Sequence, residues 1–147
     1  MEIERKFLVD LSDLPFDPKD YPARKIEQAY LCTAPVVRIR RDNDDFFLTY
    51  KSKGMMVREE YNLPLTKESY YHLLLKADGR IITKTRYVIP IENVELDIFE
   101  GDLAPLVLAE IEFPDEAFAK AYQAPSWLKE DVTYSSEYHN STLSKKD

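Results

Sequence analysis

The chain has 147 residues, 44% of them hydrophobic and 32% charged, with 27 acidic against 20 basic side chains and a formal net charge of −7. That length suits one domain with a substantial core, and the composition excludes intrinsic disorder and disfavours nonspecific nucleic-acid binding, which feeds on excess positive charge. No apolar run approaches the roughly 20 residues that span a bilayer, the N-terminus is too charged for a signal peptide, and a single cysteine, Cys32, makes neither an internal disulfide nor a Cys-based zinc site.

The expectation is therefore a cytoplasmic protein of one domain, residues 1–147, with no membrane or nucleic-acid partner. Ten tyrosines and seven phenylalanines beside three glycines favour β-structure. Neither a P-loop nor a GxGxxG pattern occurs, so any phosphate must be gripped by side chains. His72 and His139 lie far apart and have no metal-ligand spacing.

In a strand, residues two apart share a face. The first predicted strand, Glu2 to Val9, puts Glu2, Glu4 and Lys6 on one face and Ile3, Arg5 and Phe7 on the other. Asp10 to Pro22 is an irregular connection punctuated by Pro15, Pro18 and Pro22. Arg24 to Thr33 reads as a strand with Ile26, Gln28, Tyr30 and Cys32 together. Val36 to Arg41 sets Arg38 and Arg40 against Val37 and Ile39, and Asp42-Asn43-Asp44 supplies turn chemistry. Phe46 to Lys53 groups Thr49, Lys51 and Lys53 opposite Leu48 and Tyr50, and Gly54 leads into Val57 to Leu65, where Arg58, Glu60 and Asn62 share a face.

The period then changes. Tyr70, Leu73 and Leu74 recur at helical spacing within Thr66 to Ala77, with Thr66 as N-cap and Asp78-Gly79 as stop. Arg80 to Pro90 aligns Ile82, Lys84 and Arg86, and a turn at Glu92-Asn93 opens Val94 to Glu100, which aligns Glu95, Asp97 and Phe99. Leu106 to Phe113 aligns Leu108, Glu110 and Glu112. A short helix follows from Pro114 to Tyr122, a helical turn is expected over Pro125 to Lys129, and a last short helix after Ser135 frays at Lys145-Lys146-Asp147. Eight mostly antiparallel strands with short turns suggest a closed barrel, which leaves no unpaired edge.

One face of each strand carries an unusual set of charges: acids Glu2, Glu4, Glu60, Asp97, Glu110 and Glu112, and bases Lys6, Arg38, Arg40, Lys51, Lys53, Lys84 and Arg86. The opposite faces carry Ile3, Phe7, Val37, Ile39, Leu48, Tyr50, Tyr61, Leu63, Ile111 and Phe113. Two arrangements satisfy this pattern. Either the charges face water around an apolar interior, or they line a lumen while helices cover an apolar outside. In the second, the crowded cations require a polyanion and the crowded carboxylates a divalent ion, and a metal–polyphosphate complex answers both.

Glu2-x-Glu4-x-Lys6, followed in order by Arg38-x-Arg40, Lys51, Lys84-x-Arg86, Asp97 and Glu110-x-Glu112, resembles the CYTH superfamily, the triphosphate tunnel metalloenzymes. The resemblance extends to Lys84-Thr85-Arg86-Tyr87, Glu95-Leu96-Asp97-Ile98-Phe99 and Asp131-Val132-Thr133, and to short bacterial members in particular. It implies an α+β fold: an eight-stranded antiparallel β-barrel, a tunnel with a charged lumen and flanking helices. It implies a hydrolase of triphosphates that uses Mg²⁺ or Mn²⁺, with Glu2, Glu4, Asp97, Glu110 and Glu112 toward the metal. Lys6, Arg38, Arg40, Lys51, Lys84 and Arg86 would grip phosphate, and Glu2, Glu4, Lys6, Arg40 and Lys84 would form the catalytic set. The expected partner is a small-molecule triphosphate, with inorganic tripolyphosphate preferred because nothing reads a base; a homodimer is left open. The alternatives on the same fold are a class IV-type adenylate cyclase, a thiamine triphosphatase, or a polyphosphate-binding module without turnover. Two places depart from the pattern: Asn62 stands where many relatives have a second acid after Glu60, and Tyr134 to Tyr138 supplies none of the basic residues that relatives often carry toward the tunnel mouth.

Overall fold

A computed structural model of the chain describes residues 1–90 and 93–145. The strands are β1 (Glu2–Val9), β2 (Ala23–Thr33), β3 (Val36–Asp42), β4 (Asp45–Lys51), β5 (Val57–Arg58), β6 (Glu60–Pro64), β7 (Asp78–Ile89), β8 (Val94–Phe99), β9 (Val107–Glu112) and β10 (Leu128–Asp131). The helices are α1 (Lys67–Leu74), α2 (Glu116–Ala121) and α3 (Asn140–Leu143). All pairings are antiparallel, in the order β10-β1-β9-β8-β7-β2-β3-β4-β6.

The ring closes through β5. Glu2 faces Arg58 and Ile3 faces Val57 across the β1–β5 pair, and β5 continues into β6 after a break at Glu59. Counting β5 and β6 as one interrupted strand, eight strands form a barrel, as the sequence predicts. The helical turn expected over Pro125 to Lys129 is a single turn, in which the Leu128 N–H donates to the Pro125 carbonyl at 3.1 Å, and it runs straight into a strand. Leu128–Asp131 pairs with the second half of β1, where Phe7 faces Asp131 and Val9 faces Leu128. The short, polar β10 carries no periodic signal of its own; it is held by β1 and by Arg5, whose guanidinium donates to Asp131 at 2.7 Å. The turn expected at Glu92, and the last two residues Lys146 and Asp147, lie outside the described residues.

Alternation along each strand sends one set of side chains inward and the other outward. The outward set is covered over most of the wall. On β2–β4, Ala29 and Ile39 are fully buried beneath α1, whose Tyr70 is also fully buried. That helix starts where expected, the Thr66 hydroxyl accepting from the Ser69 N–H, and ends at Leu74, before the expected Ala77. On the far side, Phe7, Val94, Leu96, Ala109 and Ile111 are covered by Phe16 and Tyr21 of the 10–22 connection and by Tyr122 and Trp127. The covering is incomplete: Tyr61 and Leu63 on β6 are each 58% exposed. Among the described residues no helix is long and apolar enough to cross a membrane.

The inward set has two storeys. Moving along each strand, charge gives way to hydrocarbon: Lys6 to Leu8, Lys84 to Ile82, Asp97 to Phe99, Glu110 to Leu108. Ile82, Phe99 and Leu108 pack inside the barrel with Tyr30 and Val36, and with Val132 and Leu143 from the C-terminal segment. One end of the lumen is therefore an apolar plug closed by the chain's own tail, and only the other end is charged. Lys53, expected on the charged face, lies beyond the end of β4 and is exposed.

Candidate functional site

The charged storey encloses a cavity of about 230 Å³ whose walls are almost wholly polar. Six cations line it, Lys6, Arg38, Arg40, Lys51, Arg58 and Arg86, and six carboxylates, Glu2, Glu4, Glu60, Glu95, Glu110 and Glu112. Asn62 on β6 and His139, Asn140 and Ser141 from the tail complete the polar lining. Register explains the convergence. On β1 and β9 Glu4 faces Glu112 and Lys6 faces Glu110, and on β8 and β9 Glu95 faces Glu110, so alternate residues of adjacent strands stand side by side.

The charges are sorted. At one side Lys51 Nζ lies 3.0 Å from Glu2 and 3.2 Å from Glu60, and Arg58 lies 3.1 Å from Glu2 and 3.7 Å from Glu4. Burial raises the Glu2 carboxyl, while Glu60 is brought down to about 2, its burial outweighed by its hydrogen bond with Glu2 and by Lys51. The Glu4 carboxyl is pushed up to about 8 by burial and by the neighbouring Glu110 and Glu2 carboxylates. Glu2 is thus paired with Lys51 and Arg58 and Glu60 with Lys51, while Glu4 has Arg58 at 3.7 Å as its one ion pair among the described residues.

The opposite wall lacks negative charge. Arg38 is 6% exposed and makes no ion pair among the described residues; its one side-chain bond goes to the Thr49 hydroxyl at 3.2 Å, and its Nε is buried without an acceptor. Arg40 likewise makes no ion pair among the described residues: its Nε and an Nη donate to Gln28 Oε1 at 2.9 and 2.6 Å. Burial and the nearby Arg38 and Arg86 guanidiniums all disfavour the Arg40 charge. An unneutralised buried guanidinium is costly, and an anion placed between these arginines would relieve that cost.

Lys84 and Asp97 take a place different from the one expected. Both are fully buried and neither lines the cavity. Asp97 receives Arg86 through Nε at 2.7 Å and an Nη at 2.9 Å, and Lys84 Nζ at 2.7 Å, so both its oxygens are engaged. Although burial opposes it, Arg86 and Lys84 hold this carboxyl below its ordinary value. The geometry makes Asp97 the clamp that orients Arg86, not an oxygen free to take a metal, and keeps Lys84 behind the wall. Glu110 is similarly engaged, 3.7 Å from Lys6 and 3.6 Å from Arg86, which keep it ionised despite burial.

Of the expected residues, Glu2, Glu4, Lys6, Arg38, Arg40, Lys51, Arg86, Glu110 and Glu112 come together around the cavity. The sequence reading left out Arg58 and Glu95, though both share a face with residues it did choose. It left out Gln28, which had only its position between Ile26 and Tyr30 to mark it, and His139 to Ser141, which no strand period signals. The tail reaches the lumen with His139, Asn140 and Ser141.

The donor set fits a hard divalent cation. Among the described residues no three acidic, histidine or cysteine side chains enclose an ion by themselves. A Mg²⁺-type ion, however, commonly takes one or two carboxylates and completes its shell with phosphate oxygens and water. Glu2, Glu4 and Glu112 offer carboxylates on the paired strands β1 and β9.

The CYTH domain model matches residues 1–146. An inorganic triphosphatase of Nitrosomonas europaea is 36% identical over 148 residues, spanning 97% of this chain and 95% of that protein. One of Acetivibrio thermocellus is 38% identical over 114 residues, spanning 74% of this chain and 71% of its own length. A crystal structure of an inorganic triphosphatase, 34% identical, superposes with a TM-score of 0.71 over 100% of this chain and 96% of that one. Whole-length sequence match, closed antiparallel barrel and charged lumen agree: the chain belongs to the CYTH domain family.

Proposed function

We propose that this protein is a metal-dependent triphosphatase whose substrate is inorganic tripolyphosphate. The observation that carries this reading is the cavity's lining, in which Arg38 and Arg40 make no ion pair among the described residues and Glu4 lies buried beside the Glu2 and Glu110 carboxylates. Its size and lining favour the inorganic substrate. A cavity of about 230 Å³ is smaller than the roughly 300–1,000 Å³ of sites that enclose drug-sized organic molecules. Among the described residues its lining holds no Phe or Trp and one Tyr, Tyr30.

Arg38, Arg40, Arg86 and Lys6 would take the phosphate oxygens, the arginines as planar forks that suit oxyanions. Glu2, Glu4 and Glu112 would hold Mg²⁺ or Mn²⁺. The bound ion would neutralise charge on the phosphate oxygens and polarise an attacking water. Hydrolysis joins a water oxygen to the terminal phosphorus and breaks its bond to the bridging oxygen, giving phosphate and pyrophosphate. The chain's own part is placement and charge stabilisation, which is what phosphoryl transfer chiefly requires. Asp97 orients Arg86, Gln28 orients Arg40, and the apolar plug keeps bulk water from the closed end.

Purified protein is tested against tripolyphosphate, ATP and thiamine triphosphate with Mg²⁺ and with Mn²⁺. Phosphate release fastest from tripolyphosphate, and none after chelation, is expected. Cyclic AMP from ATP without free phosphate would overturn the hydrolase reading, and tight binding without turnover would leave a binding module.

A further inference from the structure

We propose that Asn140, on the C-terminal helix α3, is a positioning residue that sets the phosphate grip by fixing Arg40 through Gln28. This rests on the triphosphate reading of the cavity. The Gln28 Oε1 accepts both bonds from Arg40, and its Nε2 donates to Asn140 Oδ1 at 3.1 Å. The same Oδ1 accepts from Lys84 Nζ at 3.3 Å, and Lys84 is paired to Asp97, which clamps Arg86. One chain of contacts thus runs from Arg40 through the tail to Arg86.

The polarity of that chain is fixed from both ends. Guanidinium and ammonium groups only donate. Arg40 therefore demands the oxygen of Gln28, which turns the Gln28 amide N–H toward the tail, and Lys84 demands the oxygen of Asn140. No other orientation of the two amides satisfies every partner. Gln28 is fully buried, so loss of the shared acceptor strands its amide N–H, while Lys84, also fully buried, loses one contact and keeps Asp97. No carboxylate pairs with Arg40 among the described residues, so a neutral amide holds its direction without cancelling its charge.

The tail is seated so as to deliver this oxygen. Leu143 is buried in the lumen plug, Lys6 Nζ donates to the Tyr138 carbonyl at 3.4 Å, and the Arg80 N–H donates to the Ser144 carbonyl at 2.6 Å. At Gly79 a Cβ would overlap that same carbonyl, so the tail lies directly against the start of β7. By linkage, whatever Asn140 adds to anion binding the anion returns to tail docking.

The test is a double-mutant cycle on Asn140→Leu and Gln28→Leu, with Asn140→Ser, whose hydroxyl cannot span the gap, as a milder variant. Affinity for tripolyphosphate by calorimetry and kcat and KM for its hydrolysis are measured together with Tm. Each single variant is expected to weaken binding and lower kcat/KM by about tenfold, with the double variant no worse than Gln28→Leu alone, as residues acting through one chain behave. Full affinity in a folded Asn140→Leu or Asn140→Ser protein, or effects that simply add, would overturn the proposal. Should the wild type bind tripolyphosphate without hydrolysing it, the triphosphatase reading fails while the affinity cycle still decides the role of Asn140.

Discussion

Glu4 stands 9% exposed among carboxylates, and its proton is held up to about 8 by burial and by Glu110 and Glu2. A carboxylate so placed costs the metal-free fold stability, and the proposed function gives it a cation. Glu4→Gln removes the repulsion and keeps the shape; it is expected to abolish metal-dependent phosphate release while the metal-free protein melts at the same temperature or higher. Normal turnover in that variant would refute the assigned role. Arg40 is the converse case, a guanidinium held by Gln28 with no ion pair among the described residues. Arg40→Ala is expected to raise KM and lower kcat together, with kcat/KM down by about 10²–10³-fold, the usual effect of removing one preorganised donor at developing charge. A change seen only in thermal stability would count against it. At this scale the sequence was highly legible: Glu2, Glu4, Lys6, Arg38 and Arg40 fall at two-residue spacing, and strand periodicity forces them to one face. What it could not reveal is pairing. That Asp97 closes on Arg86 and Lys84, and so leaves the cavity, depends on the register in which β7 and β8 meet.

Individual elements show how the outside of the barrel is sealed. Helix α1 does so with Tyr70, whose ring lies 5.1 Å from Phe46 and whose hydroxyl donates to Glu27 at 2.8 Å. Tyr70→Ala is expected to cost about 3–5 kcal/mol in denaturant unfolding, the range for an emptied aromatic core site. An unchanged midpoint would show that α1 is not part of the cooperative unit. Strand β10 is held differently, by Asp131, which accepts from the Thr133 N–H at 2.9 Å and pairs with Arg5. Against a burial effect that raises it, the Thr133 bonds and Arg5 keep its carboxyl below the ordinary value. Its contribution is then present above the unfolded pKa, near 3.9, and lost as pH falls through the lower folded value. Wild type is therefore expected to exceed Asp131→Asn in stability at pH 6 and to lose that margin below about pH 4. A margin that grows on acidification would contradict the pairing. Helix α1 was readable because Tyr70, Leu73 and Leu74 recur at helical spacing and Thr66 caps them. Strand β10 was not, because four polar-flanked residues after Pro125 acquire their conformation only from β1.

In the whole molecule the apolar and charged faces of a barrel are partly exchanged. Its outer wall packs under α1 and the 10–22 connection, and its lumen divides into a charged chamber and an apolar plug. The exchange was legible in the alternation of every strand. The division was not, because Leu8, Ile82, Phe99 and Leu108 sit on the same faces as the charges, and only their packing into one cluster separates them. Nor did the tail signal its entry: Asn140 becomes part of the site by insertion, not by period. This arrangement makes a dead-end chamber for a short, strongly charged ligand with its counter-ion. Diffraction from crystals grown with tripolyphosphate and Mn²⁺, using the manganese anomalous signal, tests it most directly. The account expects a manganese peak beside Glu2, Glu4 and Glu112, with phosphate density against Arg38, Arg40 and Arg86; triphosphate bound on the outer wall, or a chamber that takes neither ion, would contradict it.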